Sequence, residues 1–190
     1  KYPLHFIDFE TSQAALPYTK GRKPYEQIAF QFSHHIVHED GRIAHQSEYI
    51  QHKAGVFPNF EFVRILKEAL SKDNGSVFKF AKHENTILNS IYIQLGDSNE
   101  PDREDLRDFI RTITKSVKKS AEKWEGDRNM IDLCEVVKKY FYHPYMKGSY
   151  SIKKVLPTLL SVSDHLYQKY SQTIGQLRIS SKIFLITIFG

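Results

Sequence analysis

Leu4-His5-Phe6-Ile7-Asp8-Phe9-Glu10-Thr11 is the stretch that most narrows what this chain can become. An apolar run carries two carboxylates two positions apart. In a strand, successive side chains point to opposite faces. Asp8 and Glu10 therefore share one face with Leu4 and Phe6, while His5, Ile7 and Phe9 take the other. Like charges at that spacing repel, and an ionised carboxylate among apolar neighbours loses hydration. A cation between them offsets both costs. Mg²⁺ and Mn²⁺ take oxygen ligands, usually a carboxylate or two from the protein, with waters and substrate phosphates filling the shell. The same tripeptide also suits a strand end that simply reaches water. D-x-E is common, so the rest of the chain must decide.

Composition bounds the answer without settling it. The 190 residues are 41% hydrophobic, enough to bury one substantial core, and a single domain over 1–190 is expected. The chain starts at Lys1 rather than at methionine, which suggests a piece of a longer protein with a further domain. A formal net charge of +5 suits a polyanionic partner. One cysteine, Cys134, excludes an intramolecular disulfide and Cys-rich zinc sites, and a reducing, cytoplasmic setting is expected. The N-terminus carries no signal-peptide pattern. The longest apolar stretch, Ile183 to Phe189, is too short to span a bilayer as a helix, so no membrane partner is expected.

Taken in order, Ser12 to Glu26 lacks periodicity and holds Pro17, Gly21 and Pro24, which reads as a loop. Lys20, Arg22 and Lys23 cluster there beside Tyr18 and Tyr25, as a solvated loop or as a phosphate contact next to the carboxylates. Gln27 to Val37 alternates as a half-buried strand, an Asp40-Gly41 turn follows, and Ile43 to Ile50 returns as its antiparallel partner. Alternation puts His34 and His35 on opposite faces, and both are expected at the surface or edge, as are His38 and His45.

Phe60 to Leu70 has a helical stripe, with Asn59 as its expected N-cap. Ser76 to Ala81 is a short strand, and a helix carrying Ile87, Leu88, Ile91, Tyr92 and Leu95 ends at Gly96. Glu84 thus sits at a strand-to-helix junction. There it is either a carboxylate favoured by the helix dipole or a third metal or water ligand. The stripe Leu106, Phe109, Ile110, Ile113, Val117, Ala121 and Trp124 predicts a long helix. Its basic side, Arg107, Arg111, Lys115, Lys118 and Lys119, is either solvated or laid along a phosphate backbone. Asn129 to Cys134 is a short strand holding Asp132, and Glu135 to Tyr142 continues as a helix. Ser149 to Pro157 reads as a short capped helix stopped by its proline, and Asp164 to Tyr170 as one more helix. The sum is an α/β fold, a mixed sheet with an antiparallel hairpin and parallel strands, with functional groups gathered at strand ends.

A strand bearing D-x-E, a hairpin, and a strand-to-helix junction with an acidic residue resemble the DEDD (DnaQ-like) 3′-5′ exonucleases, which have a ribonuclease H-like fold. More narrowly, Phe6-Ile7-Asp8-Phe9-Glu10-Thr11, Pro24 to Ser33 and Gly148 to Pro157 resemble a bacterial domain family of unknown function within that superfamily. The similarity runs from about residue 4 to about residue 160. The resemblance implies phosphodiester hydrolysis with two Mg²⁺ or Mn²⁺ ions bracketing the attacking and leaving oxygens. Asp8 would bridge both ions and Glu10 would bind the one holding the water. Glu84 would stand where the superfamily usually has aspartate, and Asp132 is a secondary catalytic candidate. Lys20, Arg22, Lys23 and Lys153 are the expected contacts to single-stranded DNA or RNA.

The C-terminus departs from the superfamily, which ends its site with a histidine or tyrosine shortly before a last aspartate. After Leu160 the one acidic residue is Asp164, too close to the preceding helix to match. An incomplete domain with an atypical tail over about 175–190, or a genuine terminal strand, both account for this. Three functions therefore stand open. They are a metal-dependent nuclease, a non-catalytic nucleic-acid-binding or interaction module on the same fold, and a basic scaffold without a nucleic-acid role.

Overall fold

The computed structural model describes residues 1–170; the apolar tail and any strand in it lie outside the described residues. Strand β1 (Leu4–Ser12) forms the centre of a five-stranded sheet. It pairs antiparallel with β2 (Ile28–Val37), which pairs antiparallel with β3 (Ile43–Ile50). On its other side β1 pairs parallel with β4 (Val77–Lys79), and β4 pairs parallel with β5 (Ile131–Asp132). The order β3-β2-β1-β4-β5 is the expected mixed α/β sheet, and it fits a ribonuclease H-like arrangement. The parallel pairs are joined by helices α1 (Asn59–Leu70), α2 (His83–Gly96) and α3 (Arg103–Ile113). Helix α4 (Leu133–Tyr140), a short 3-10 turn (Pro144–Met146), α5 (Ile152–Val162) and α6 (Asp164–Tyr170) follow.

Alternation along β1 is realised as expected. Ile7 and Phe9 enter a core with Phe32, Val77, and the inner faces of α1, α2 and α3, including Phe62, Leu66, Leu88 and Ile110. Phe9 and Phe32 each meet Phe62 edge-on, with centroids 4.8 and 5.3 Å apart, the geometry the ring quadrupoles favour. Phe6 turns to the opposite face and stacks on Phe78 at 5.1 Å.

Several local expectations are corrected. Asn59 is the first residue of α1 rather than its cap, and it acts as a tertiary bracket. Its carboxamide accepts from the Ala29 N–H (2.8 Å) and donates to the carbonyl of Gln27 (2.9 Å) and to Gln94 Oε1 (2.6 Å). The long helix expected through Trp124 stops at Ile113. Thr114 is extended, its hydroxyl donating to the Ile110 carbonyl. The chain then folds back, with Gly126 donating to the Thr114 carbonyl, Arg128 to that of Thr112 and Met130 to that of Ile113. A Cβ at Gly126 would lie 2.2 Å from the carbonyl oxygens of Arg111 and Thr112, so only glycine permits this approach. Beyond Ile113 the expected stripe dissolves: Ala121 is exposed, and Trp124 reaches the core from a returning loop, its indole N–H donating to Thr114 Oγ1 at 3.0 Å. Pro157 does not stop its helix either. It lies within α5 on an exposed face, where the bond it cannot donate would have faced solvent.

His34 and His35 are not surface residues: both are buried. His34 belongs to a hydrogen-bonded row in which Asp73 meets His5 Nε2 (2.8 Å), His5 Nδ1 meets His34 Nε2 (2.9 Å), and His34 Nδ1 meets Ser47 Oγ (2.9 Å). One proton assignment satisfies every atom with both rings neutral. His5 donates to Asp73, His34 donates to His5, and Ser47 donates to His34. Burial, with the neighbouring His5 and His35 adding to it, lowers the His34 pKa to about 3. Burial, together with His45, lowers that of His35 to about 4. Neutral rings in the fold and protonatable ones in the unfolded chain mean that the unfolded state binds more protons below its own histidine pKa of about 6.5. The urea midpoint is therefore expected to fall as pH drops from about 6.5 toward 4. His34→Gln should flatten that decline while lowering the midpoint at neutral pH.

Candidate functional site

The carboxyl ends of the parallel strands meet at one edge of the sheet, and there the acidic residues gather. Asp8 leaves β1 on the face of Phe6, and the β1–β2 register slips between Glu10 and Thr11. Such a bulge twists the strand and re-aims the side chains around it. Asp8 is half-buried and Glu10 exposed. Burial, and then the charge of Glu10, raise the Asp8 pKa above the ordinary carboxylate range.

Glu84 arrives from the β4–α2 junction, which depends on a second carboxylate. Asp132 Oδ2 pairs with the buried Lys79 ammonium at 2.8 Å. Its Oδ1 accepts from the N–H groups of Ala81 and Cys134, both at 2.9 Å. The Cys134 bond caps α4, and the Ala81 bond holds that residue at φ +67°. A left-handed alanine costs about 1–2 kcal/mol and persists only where its surroundings over-determine it. Lys79 adds to this by donating to the Ala81 carbonyl at 2.5 Å. The turn delivers the first residues of α2 toward β1. His83 Nε2 lies 3.2 Å from Thr11 Oγ1, and Glu84 sits beneath it, 3% exposed.

Glu84 is the anomaly of the site. Its Oε2 is buried with no hydrogen-bond partner. Burial, joined by the charges of Asp8 and Asp132, raises its pKa to about 7. An orphaned carboxylate oxygen in apolar surroundings is costly, and such groups cluster at functional sites. A cavity of about 260 Å³ opens beside this edge, and Phe6, Asp8, His35, Phe78, Phe80 and Ile152 form much of its wall.

Asp8, Glu10 and Glu84 thus collect at one edge, while Asp132 lies beside them with both oxygens engaged. Of the expected phosphate contacts, Lys20 and Lys23 are exposed on the loop after β1. Arg22 is tied down, with Glu26 at 3.4 Å and its guanidinium 3.4 Å from the Phe57 ring centroid. Lys153 is exposed near the start of α5. The basic row expected along α3 is largely spent. Arg107 and Arg111 pair with Glu104, Asp108 and Glu122, and Lys115 with Glu125. His83, beside Asp8, was overlooked in the sequence; its adjacency to Glu84 at the start of a helix was the available signal.

Among the described residues, no three His, Cys, Asp or Glu side chains form a group able to hold a metal ion. A hydrated divalent cation that takes one or two protein carboxylates and draws its remaining oxygens from water and phosphate would need no such group. The unpartnered Glu84 Oε2 beside Asp8 is the atom such an ion would satisfy. No helix among the described residues is long and apolar enough to cross a membrane.

Comparison with known proteins places the sequence without giving it an activity. A family model described as "Domain of unknown function (DUF2779)" matches residues 5–151. A search of curated proteins finds no match.

Glu84 and Asp132 differ in what removal does. Glu84→Gln deletes a group whose folded pKa exceeds its unfolded one, so at pH 8 the variant should resist urea better than the parent. The gain should shrink as pH falls through about 7 and vanish below about 4.5, where the carboxyl is protonated in both the folded and the unfolded chain. Asp132→Ala strands the Lys79 charge and frees Ala81, and should cost about 3 kcal/mol in the same assay at neutral pH.

Proposed function

The chain belongs to the DUF2779 family, and we propose that it is a metal-dependent hydrolase of phosphodiester bonds in single-stranded nucleic acid, related to the DEDD 3′-5′ exonucleases. The observation that carries this reading is the buried, unpartnered Glu84 carboxylate beside Asp8, at the edge where the parallel strands end. The sheet order supports it, since ligands of open α/β sheets sit at the carboxyl ends of strands. Asp8 and Glu84 would hold Mg²⁺ or Mn²⁺, with water and phosphate oxygens completing the shell. When bound, such ions lower the pKa of an attacking water and neutralise charge on the phosphate. Asp132 positions Glu84 through Ala81 rather than touching substrate. His83 stands where it can donate to a phosphate oxygen at the mouth of the site. Phe6, Phe78 and Phe80 line an apolar wall that shields the reacting phosphate from bulk water. Lys20 and Lys23 are available to the phosphates that follow.

A non-catalytic nucleic-acid-binding module is favoured by one observation, the lack of a three-donor metal group among the described residues.

Incubating the protein with an end-labelled oligonucleotide and Mn²⁺ separates the two. Stepwise shortening is expected, abolished by chelator and reduced on the order of a thousandfold in Asp8→Asn. Calorimetric Mn²⁺ binding should be lost in Glu84→Gln. Retarded migration of the oligonucleotide without shortening would decide for the binding module. Shortening that survives Asp8→Asn would sink the assignment of this site.

A further inference from the structure

From Val136 to Ser163 the sequence contains no acidic residue and five lysines. Glu135, just before it, pairs with Lys138 at 2.6 Å. Among the described residues no ion pair neutralises Lys139, Lys147, Lys153 or Lys154, and all four are exposed. Between Lys139 and Lys147, Tyr140, Tyr142 and Tyr145 are 73%, 71% and 65% exposed. A single exposed aromatic is ordinary, but three in six residues leave a large apolar area in water. Two of the rings have a packing partner. His143 packs edge-on against Tyr145 at 4.6 Å, and the Lys139 ammonium sits 5.0 Å from the Tyr140 ring centroid. Lys147 and Gly148, at φ +49° and +75°, turn the chain from the 3-10 turn toward the start of α5, where Lys153 and Lys154 stand.

This strip adjoins the carboxylate edge. Helix α4 begins at Leu133, directly after Asp132, and Leu133 and Ile152 line the same cavity as Asp8. A run of exposed rings flanked by lysines that no ion pair neutralises among the described residues matches a chain of unstacked bases joined by phosphates. Bases stack on the rings, phosphates meet the lysines, and neither contact reads sequence. A duplex hides its base faces, and an acidic protein would use the lysines while leaving the tyrosines idle.

We propose that the surface from Lys139 through Tyr145 to Lys154 is a track for single-stranded nucleic acid leading to the Asp8–Glu84 edge. The proposal rests on the hydrolase reading for its direction, but its binding does not require cleavage. The test is fluorescence anisotropy with a labelled oligothymidylate and a labelled oligouridylate, in chelator so that nothing is cut. Tyr142→Ala/Tyr145→Ala should weaken binding about tenfold or more. Lys153→Ala/Lys154→Ala should reduce the slope of log affinity against log salt by about 1.4. A control with the same charge loss outside the strip, Arg42→Ala/Lys72→Ala, should change neither the ring-dependent loss nor half that slope. Binding that depends on the strip supports the track even if Mn²⁺-dependent cleavage is never seen, an outcome that would overturn only the hydrolase reading. Unaltered binding in both strip variants, or competition by duplex or polyglutamate as strong as by single strand, overturns the track. Mn²⁺-dependent shortening that persists when both strip variants bind as the parent does leaves the hydrolase reading standing.

Discussion

The Lys79–Asp132 pair is the contact on which the functional edge depends. A buried ammonium and a mostly buried carboxylate repay their desolvation only when geometry and extra hydrogen bonds are good, and here both conditions hold. Burial alone would push the Asp132 carboxyl up. The Lys79 ammonium and the N–H groups of Cys134 and Ala81 instead hold it below the usual range, so it stays ionised. That charge links β4 to β5, caps α4, and fixes the left-handed Ala81 from which α2 and Glu84 depart. One structural ion pair thereby holds a second carboxylate in an unfavourable place.

The two carboxylates divide the labour that the sequence left undivided. Asp132 is satisfied and contributes to stability; Glu84 is unsatisfied and subtracts from it. A fold that retains a destabilising group at a strand end, supported by a strained turn, has the form expected of a site whose cost is offset on binding. The same contrast separates the basic residues. Arg64, Arg107 and Arg111 are absorbed in ion pairs that fasten α1, α3 and the returning loop. Lys139 of α4, Lys147 in the turn and Lys153 and Lys154 of α5 are left to solvent beside exposed tyrosines. Net charge alone did not distinguish these populations, because composition counts cations and only packing decides which are neutralised.

Elements with strong local patterning were legible. The alternation in β1, the Asp40-Gly41 hairpin, and the stripes of α1 and α2 require nothing beyond their own residues. The misreadings share a cause. Leu106 to Trp124 has helical spacing throughout, yet Gly126 and the carbonyls of residues 112–114 draw the chain back, and a loop returns Trp124 to the same core. His34 and His35 looked polar and therefore exposed; their burial needs His5, Asp73, Ser47 and His45, from three other segments, to supply hydrogen bonds. Asn59 had the composition of a cap and was recruited by β2 and α2 instead.

The sequence by itself determined the two-faced strand at Asp8 and Glu10, the α/β order, and the acidic strand-to-helix junction at Glu84. Each follows from periodicity and local chemistry within a dozen residues. Only the tertiary structure decided which carboxylate is spent and which is left unpaired. It also decided which cations face solvent and where the long amphipathic stripe breaks. Those outcomes hang on partners far apart in the chain, such as Lys79 with Asp132 and His5 with Asp73. Hydrogen-bond satisfaction and desolvation are properties of a surrounding volume, and no local window of sequence contains that volume.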